Sequence, residues 1–343
     1  MYTLRALLAS LATSTLFAAA ARLHPARAAG AVPIRAGWVV LPADLLPMMP
    51  DTPQLTRHLG KSYTIEPQHF AGTPQMITAL ASAAIDTGSL AFSSLPLAIE
   101  NAKLTKLRII SDDFQDGAPG YHTNTYRVRA DSPIKSVKEL KGKVLATNIQ
   151  GSAVDIAMRV MLRKNGLNDR TDVSIIEAPF PAMKSLLAEK KAELIPAVLP
   201  FSADPELEKN SRALFTQKDA IGRTQMIIHA MRGEFIDQHR AAVTDMLEDM
   251  LRVLHFYQDP KNHEETVKLV AKATKQPAAR FDKWLFTKDD YYRNPEGLPD
   301  LKALQANIDV QKELGYLKTS IDVEKYAELD MVKTAAKRAA SKV

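Results

Sequence analysis

Cysteine is absent from all 343 residues. No disulfide framework can hold the fold, an N-terminal cysteine lipid anchor is not expected, and zinc would have to be held by scattered histidines and acids. The eight histidines never fall at H-x-x-x-H spacing, so no metal site is expected. Nucleotide-binding and hydrolase signatures are missing as well. Gly60-Lys61-Ser62 copies the end of a phosphate-binding loop, but Leu55 stands where that loop needs glycine, and neither a G-x-S-x-G elbow nor a G-x-G-x-x-G turn occurs. The acid pairs Asp112-Asp113 and Asp289-Asp290 read as solvated loop charges. No catalytic residue and no cofactor are assigned, and the chain is not expected to be an enzyme.

Long apolar runs are also scarce. One covers residues 6–21 behind Arg5, is short for a membrane span, and is followed by Ala26-Arg27-Ala28, with small residues at both positions a signal peptidase inspects. Residues 1–28 therefore read as a cleaved signal peptide, with an uncleaved anchor as the rival, and the mature protein is expected free in the periplasm. Its removal takes away Arg5, Arg22 and Arg27 and leaves 42 basic against 39 acidic residues, a balance of +3 in place of +6. So mild a surplus is no nucleic-acid footprint.

What is present is an α/β pattern. Strands are expected over residues 32–40, 62–70, 87–91, 107–111, 143–147 and 173–177, with helices over 53–59, 76–84 and 153–165 between them. Such alternation with short connections predicts parallel strands covered by helices. After Arg232 the chain turns helical, with helices expected over 235–257, 263–274, 277–286, 301–314 and 323–340. A faint internal repeat links Pro74-x-Met76-(x)3-Leu80-Ala81-(x)4-Asp86 to Pro181-x-Met183-(x)3-Leu187-Ala188-(x)4-Glu193, all displaced by 107 positions. It suggests two similarly built α/β lobes.

Two corners carry the candidate chemistry. Ser93-Ser94 ends the short strand 87–91 where a helix starts, and Thr147-Asn148-(x)2-Gly151-Ser152 repeats the arrangement in the second half. Backbone N–H groups and hydroxyls at such corners favour an anion, and ligands of open α/β sheets lie at the carboxyl ends of strands. As helix caps the same hydroxyls need no ligand, and Gly151 serves either a turn or a close approach. Trp38 and Phe180 follow strands and are either walls of the site or core aromatics.

Residues 72–100, 134–205 and the ending GYLKTSIDVEKYAELD resemble the periplasmic substrate-binding proteins of the nitrate/sulfonate/taurine ABC-transporter family, which includes aliphatic-sulfonate and thiamine-precursor binders. The resemblance covers most of the mature chain in the family's order. It implies a two-lobed, type II-like binding-protein fold, each lobe a parallel-rich sheet flanked by helices, with two hinge crossings near residues 122–129 and 222–229. Lobe I is then discontinuous, residues 29–123 and 226–343, and lobe II is 124–225. The implied function is capture of a small solute by lobe closure, as a monomer, and delivery to an inner-membrane ABC permease with its ATPase.

Tyr121, His122 and Asn124 at one crossing, and Arg223 with Gln225 at the other, become candidates for contact, against the alternative of hinge decoration. A guanidinium at Arg223, or at Arg35, would suit a carboxylate or sulfonate, which makes an aromatic carboxylate or sulfonate the favoured solute. If neither arginine lines the cleft, a neutral or cationic solute, including a thiamine-precursor-like one, takes its place. Glu193-Leu194-Ile195-Pro196 stands where the family has aspartate and small residues, so the ligand is not carried over. A sensor module for a membrane receptor and a periplasmic α/β enzyme are the rival functions.

Overall fold

The computed structural model describes residues 30–341; the expected signal peptide lies outside them. Ten strands are present among the described residues: β1 Val32–Trp38, β2 Tyr63–His69, β3 Thr87–Ala91, β4 Leu107–Asp116, β5 Thr125–Arg129, β6 Val144–Thr147, β7 Ser174–Glu177, β8 Ile195–Ala197, β9 Ser211–Thr216 and β10 Thr224–Arg232. The first sheet has the order β2-β1-β3-β10-β4, parallel except for β10, which runs against both neighbours. In the second half β6 and β7 pair in parallel, β5 pairs antiparallel with β8 and β9, and Leu145 bridges Leu194 beside β8. The two sheets thus share one plan, three parallel strands followed by a reversed one. The reversed strands, β5 and β10, are those by which the chain enters and leaves the second half.

The repeat marks equivalent places in that plan. Helix Thr73–Ala81 joins β2 to β3, and helix Met183–Ala188 joins β7 to β8. Both end in one hydrogen-bond pattern: Ala83 N–H donates to Leu80 and Ala84 N–H to Ala79, and 107 positions later Lys190 N–H donates to Leu187 and Lys191 N–H to Leu186. Such an ending needs a left-handed residue just past the helix, and Ala83 and Lys190 adopt φ of 56° and 59°. Ala83→Gly and Lys190→Gly are each expected to stabilise the protein by about 0.5–1 kcal/mol, because glycine reaches that conformation without Cβ strain. Denaturant unfolding of the two variants measures it.

Most expected elements form, and helix His263–Thr274 has the bounds read from the sequence. Four expectations are corrected. Residues 53–59 are turns, because the N–H groups of Arg57, His58 and Leu59 donate to the Asp249 carboxylate and not to a helical ladder. Residues 277–286 hold one short 3-10 turn, Ala278–Arg280, and Phe286 N–H donates to Asp290, so Trp284 does not sit on a helix. The last helix is Asp330–Ala340, separated from a 3-10 turn Val323–Tyr326 where Ala327 bridges Ile109 of β4.

The fourth correction concerns the acid pairs. β4 runs on to Asp116, so Asp112 and Asp113 lie in a strand and are buried, and Asp290 is buried beside Arg293.

Two passages connect the sheets, residues 117–124 and 217–223. Asp116 ties them down: its carboxylate accepts from the Thr123 hydroxyl at 2.5 Å and the Asn124 N–H at 2.8 Å, while Gln217 N–H donates to the Asn124 carbonyl. Residues after 232 pack mainly on the first sheet and also reach the second half. Tyr316 donates to Asp169 at 2.6 Å, and Arg163 donates to the Leu314 carbonyl.

Candidate functional site

The carboxyl ends of the strands in both halves converge on one cavity of about 70 Å³. That is room for roughly five waters. From the first sheet come Val39, Val40, Ala43 and Asp44, which follow β1, with Ser89 and Ala91 of β3 and Phe114 of β4. The second half adds Asn124, Asn148, Ser152, Phe180 and Leu199, and Tyr291 closes the wall from the C-terminal part. Most of these side chains are apolar, so desolvation of an apolar solute would supply the larger share of affinity.

Of the residues singled out from the sequence, Asn124, Asn148, Ser152 and Phe180 line the cavity. Ser152 is also a helix cap, accepting from Asp155 N–H, and donates to Asn148 Oδ1 at 2.6 Å. Asn148 in turn reaches the Ala71 carbonyl of the first half at 3.4 Å. Tyr291 donates its hydroxyl to Asn124 and accepts from Leu199 N–H, tying three of the walls together.

The other candidates stand outside the lining. Trp38 packs on His69 with ring centroids 4.6 Å apart, next to the lining residue Val39. Ser94 is buried and meets Thr73, a lining residue, at 2.7 Å; Ser93 and Thr147 are buried with free hydroxyls. Gly151 makes a turn at φ 79°, its N–H donating to Asp155. Tyr121 lies against Tyr292 and under the Lys288 ammonium. Arg223 pairs with Asp300 at 2.9 Å and donates to Gln115, and its side chain is 40% exposed. Arg35 is engaged by Asp86. His122 stacks edge-on against Tyr291, and Gln225 donates to Asp112 at 2.6 Å.

The one carboxylate among the lining residues, Asp44, is not among the residues singled out from the sequence. The loop V-V-L-P-A-D-L-L-P holds a single charge between two prolines, an anomaly in so apolar a stretch and the signal that marks it. Asp44 Oδ2 accepts from the Val39 and Val40 N–H groups at 3.2 and 3.0 Å, while Oδ1 is buried and has no partner. Burial, and then the Asp113 charge, push Asp44 up to about 7. Behind it His229 lies fully buried, Nε2 3.5 Å from Asp113 and Nδ1 3.5 Å from the Ser89 hydroxyl. Burial works against the imidazolium, but Asp113, Asp44 and Asp112 outweigh it and hold the His229 pKa above its ordinary value.

A possible metal group, His58, Asp245 and Glu248, lies away from this cavity. Arg338 and Arg252 already pair with its two acids, which makes it an ion-pair network as it stands.

A family model described as the NMT1-like family matches residues 49–271. No curated protein sequence matches the chain. Among solved structures, the periplasmic aliphatic sulphonate-binding protein SsuA from Escherichia coli aligns over 86% of this chain and 91% of its own, with 19% identity and a TM-score of 0.64. The periplasmic nitrate-binding protein NrtA from Synechocystis PCC 6803 aligns over 90% and 89%, with 16% identity and a TM-score of 0.69. The desulfurization enzyme DszB aligns over 90% and 99%, with 11% identity and a TM-score of 0.64. The architecture is therefore the two-lobed binding-protein fold, and that fold carries both binders and an enzyme.

Proposed function

The chain belongs to the NMT1-like family, and from that premise we propose that it is the periplasmic solute-binding component of an ABC importer. It captures a small, largely apolar solute between its two halves and hands it to a membrane permease. The observation that carries this reading is the cavity itself, built jointly by the strand ends of both sheets and lined mainly by apolar side chains. Closure on a solute fits the two passages at residues 117–124 and 217–223, where the chain crosses between sheets.

The favoured solute changes from the one expected of the sequence. No arginine or lysine is among the lining residues, and both candidate cations are paired elsewhere. A carboxylate or sulfonate entering this cavity would lose its hydration against Asp44 with no positive partner in return. The neutral or cationic alternative is therefore the one the geometry supports.

Native mass spectrometry of the protein released from periplasm tests the reading. The expected result is a bound small molecule without an anionic group, recovered unchanged after incubation. A chemically altered product would make the protein an enzyme, and a carboxylate or sulfonate in the cavity would restore the original expectation. Arg223→Ala is expected to leave the affinity for the copurified solute within about twofold, as a residue off the cavity should; calorimetry decides, and a loss of tenfold or more, worth about 1.4 kcal/mol, would put the guanidinium on the solute.

A further inference from the structure

We propose that the solute carries a protonated amine on a small apolar body, and that its ammonium group docks on the free Oδ1 of Asp44. The proposal rests on the solute-binding reading above and adds the chemical class. Its ground is a missing donor. Asp44 is 3% exposed and lines the cavity. Two backbone N–H groups hold its Oδ2, which fixes the carboxylate, while Oδ1 makes no hydrogen bond of good geometry, the Ser89 hydroxyl and the Asp113 carboxyl being the carboxylate's other polar neighbours. A buried carboxylate oxygen without a donor is costly, and supplying that donor with a charge-assisted bond is correspondingly favourable.

The surroundings select a cation. Facing Asp44 are Asp113 of β4 and the Ser89 hydroxyl of β3, with His229 of β10 and Asp112 of β4 behind them. Three carboxyl groups thus share one imidazole. His229 Nε2 lies 3.5 Å from Asp113, and of the three carboxyl groups only Asp44 lines the cavity. The other polar lining groups Thr73, Asn124, Asn148 and Ser152 are neutral; their oxygens already bond to Ser94, Tyr291, Ser152 and the Asp155 N–H, and the free Asn124 Nδ2 is a donor for an acceptor atom on the solute. The apolar residues from Val39 to Phe180 would cover its hydrocarbon part.

One consequence is distinctive. With Asp44 held near 7 in the empty protein, part of the population is protonated at neutral pH. An ammonium seated against it draws that pKa down, so binding expels a proton.

Calorimetric titration of the full mature protein with amines running from propylamine to benzylamine, at pH 6 and pH 8 and in two buffers of different ionisation enthalpy, tests this. Benzyl alcohol and benzoate are the neutral and anionic controls. At least one amine should bind about tenfold more tightly at pH 8 than at pH 6, release protons in proportion to the buffer difference, and outcompete its controls. Asp44→Asn should abolish the pH dependence and weaken the amine at least tenfold while sparing benzyl alcohol. If that variant does not fold, as its melting curve would reveal, proton release by the unaltered protein still decides.

Benzyl alcohol binding as tightly as every amine, with no pH dependence, overturns the amine and leaves the solute-binding reading standing. Tighter binding of benzoate overturns the amine and the exclusion of anions together. Saturable binding of none of these probes overturns the amine and leaves the solute-binding reading to the copurified molecule.

Discussion

Asp249→Ala is expected to lower the unfolding free energy by about 4 kcal/mol, measured by urea denaturation. Asp249 sits inside helix Gly233–Gln258 and is fully buried. Its carboxylate accepts from the Arg57, His58 and Leu59 N–H groups at 2.7, 2.9 and 3.0 Å and from the buried Tyr63 hydroxyl at 2.9 Å. Removing it strands four donors, and each stranded donor costs about 1–3 kcal/mol where water cannot replace the lost acceptor. The phenol is the most deeply enclosed of them, whereas Arg57 is exposed, which keeps the sum below the maximum. Tyr63→Phe removes one of the four donors and should cost about 1 kcal/mol. A loss under 1 kcal/mol for Asp249→Ala would mean that residues 53–59 find other acceptors and do not depend on this carboxylate.

The same residue explains why part of the fold was not legible in the sequence. An aspartate in a long amphipathic helix looks like an ordinary solvated charge, and residues 53–59, opening with a proline, look like a helix start. Only the tertiary contact across 190 positions shows that the helix is replaced by a loop wrapped around an acid. Periodicity sees neighbours three or four residues away and is blind to such a partner. Where an element depends on its own apolar stripe, as in helix His263–Thr274, or on the alternation of strands and helices, as from β1 to β3, local pattern was enough.

The candidate site divides along the same line. The corner of Asn148 and Ser152 was readable because a strand, a polar loop and a helix start follow one another locally. Tyr291 was not, because it reaches Asn124 across 167 positions from a segment without regular structure. Asp44 was missed for a different reason. Hydroxyls and guanidinium groups point to an anion, and a lone acid in an apolar loop points the other way. Asp112 and Asp113 were misread because acids in sequence so commonly mark solvent; here they continue a strand into the interior.

Those buried acids should make the protein more stable at mildly acidic pH than at pH 8.5. Burial is the leading cause that pushes Asp44, Asp112 and Asp116 each up to about 7, whereas in the unfolded chain they titrate near the ordinary aspartate value of about 3.9. Between those values the folded protein binds more protons than the unfolded one, so stability falls as pH rises through the window. His229 acts in the same sense, since its folded pKa is raised and its contribution, full below its unfolded value, is lost as pH rises.

His122 opposes them. Burial lowers it to about 4, so its contribution is lost as pH falls below about 6.5. From pH 8 to pH 6 the three acids and His229 act together, each acid contributing up to about 1.4 kcal/mol. Because Asp44 and Asp112 both owe part of their shift to the Asp113 charge, the total is about 2–4 kcal/mol. Further down, His122 takes back part of the gain. Asp169 then loses the stabilisation of its bonds from Tyr316, Arg163 and Arg159, which outweigh its burial and hold it below the ordinary range. Three acids against one histidine keep stability rising below pH 6, so its maximum is expected near pH 4–5. Thermal unfolding at fixed ionic strength should show a melting temperature at least about 5 °C higher at pH 6 than at pH 8.5, and Asp112→Asn or Asp116→Asn should each flatten the slope. A melting temperature that rises from pH 6 to pH 8.5 would show that these carboxylates titrate near their ordinary values and that water reaches the strand end where the cavity lies.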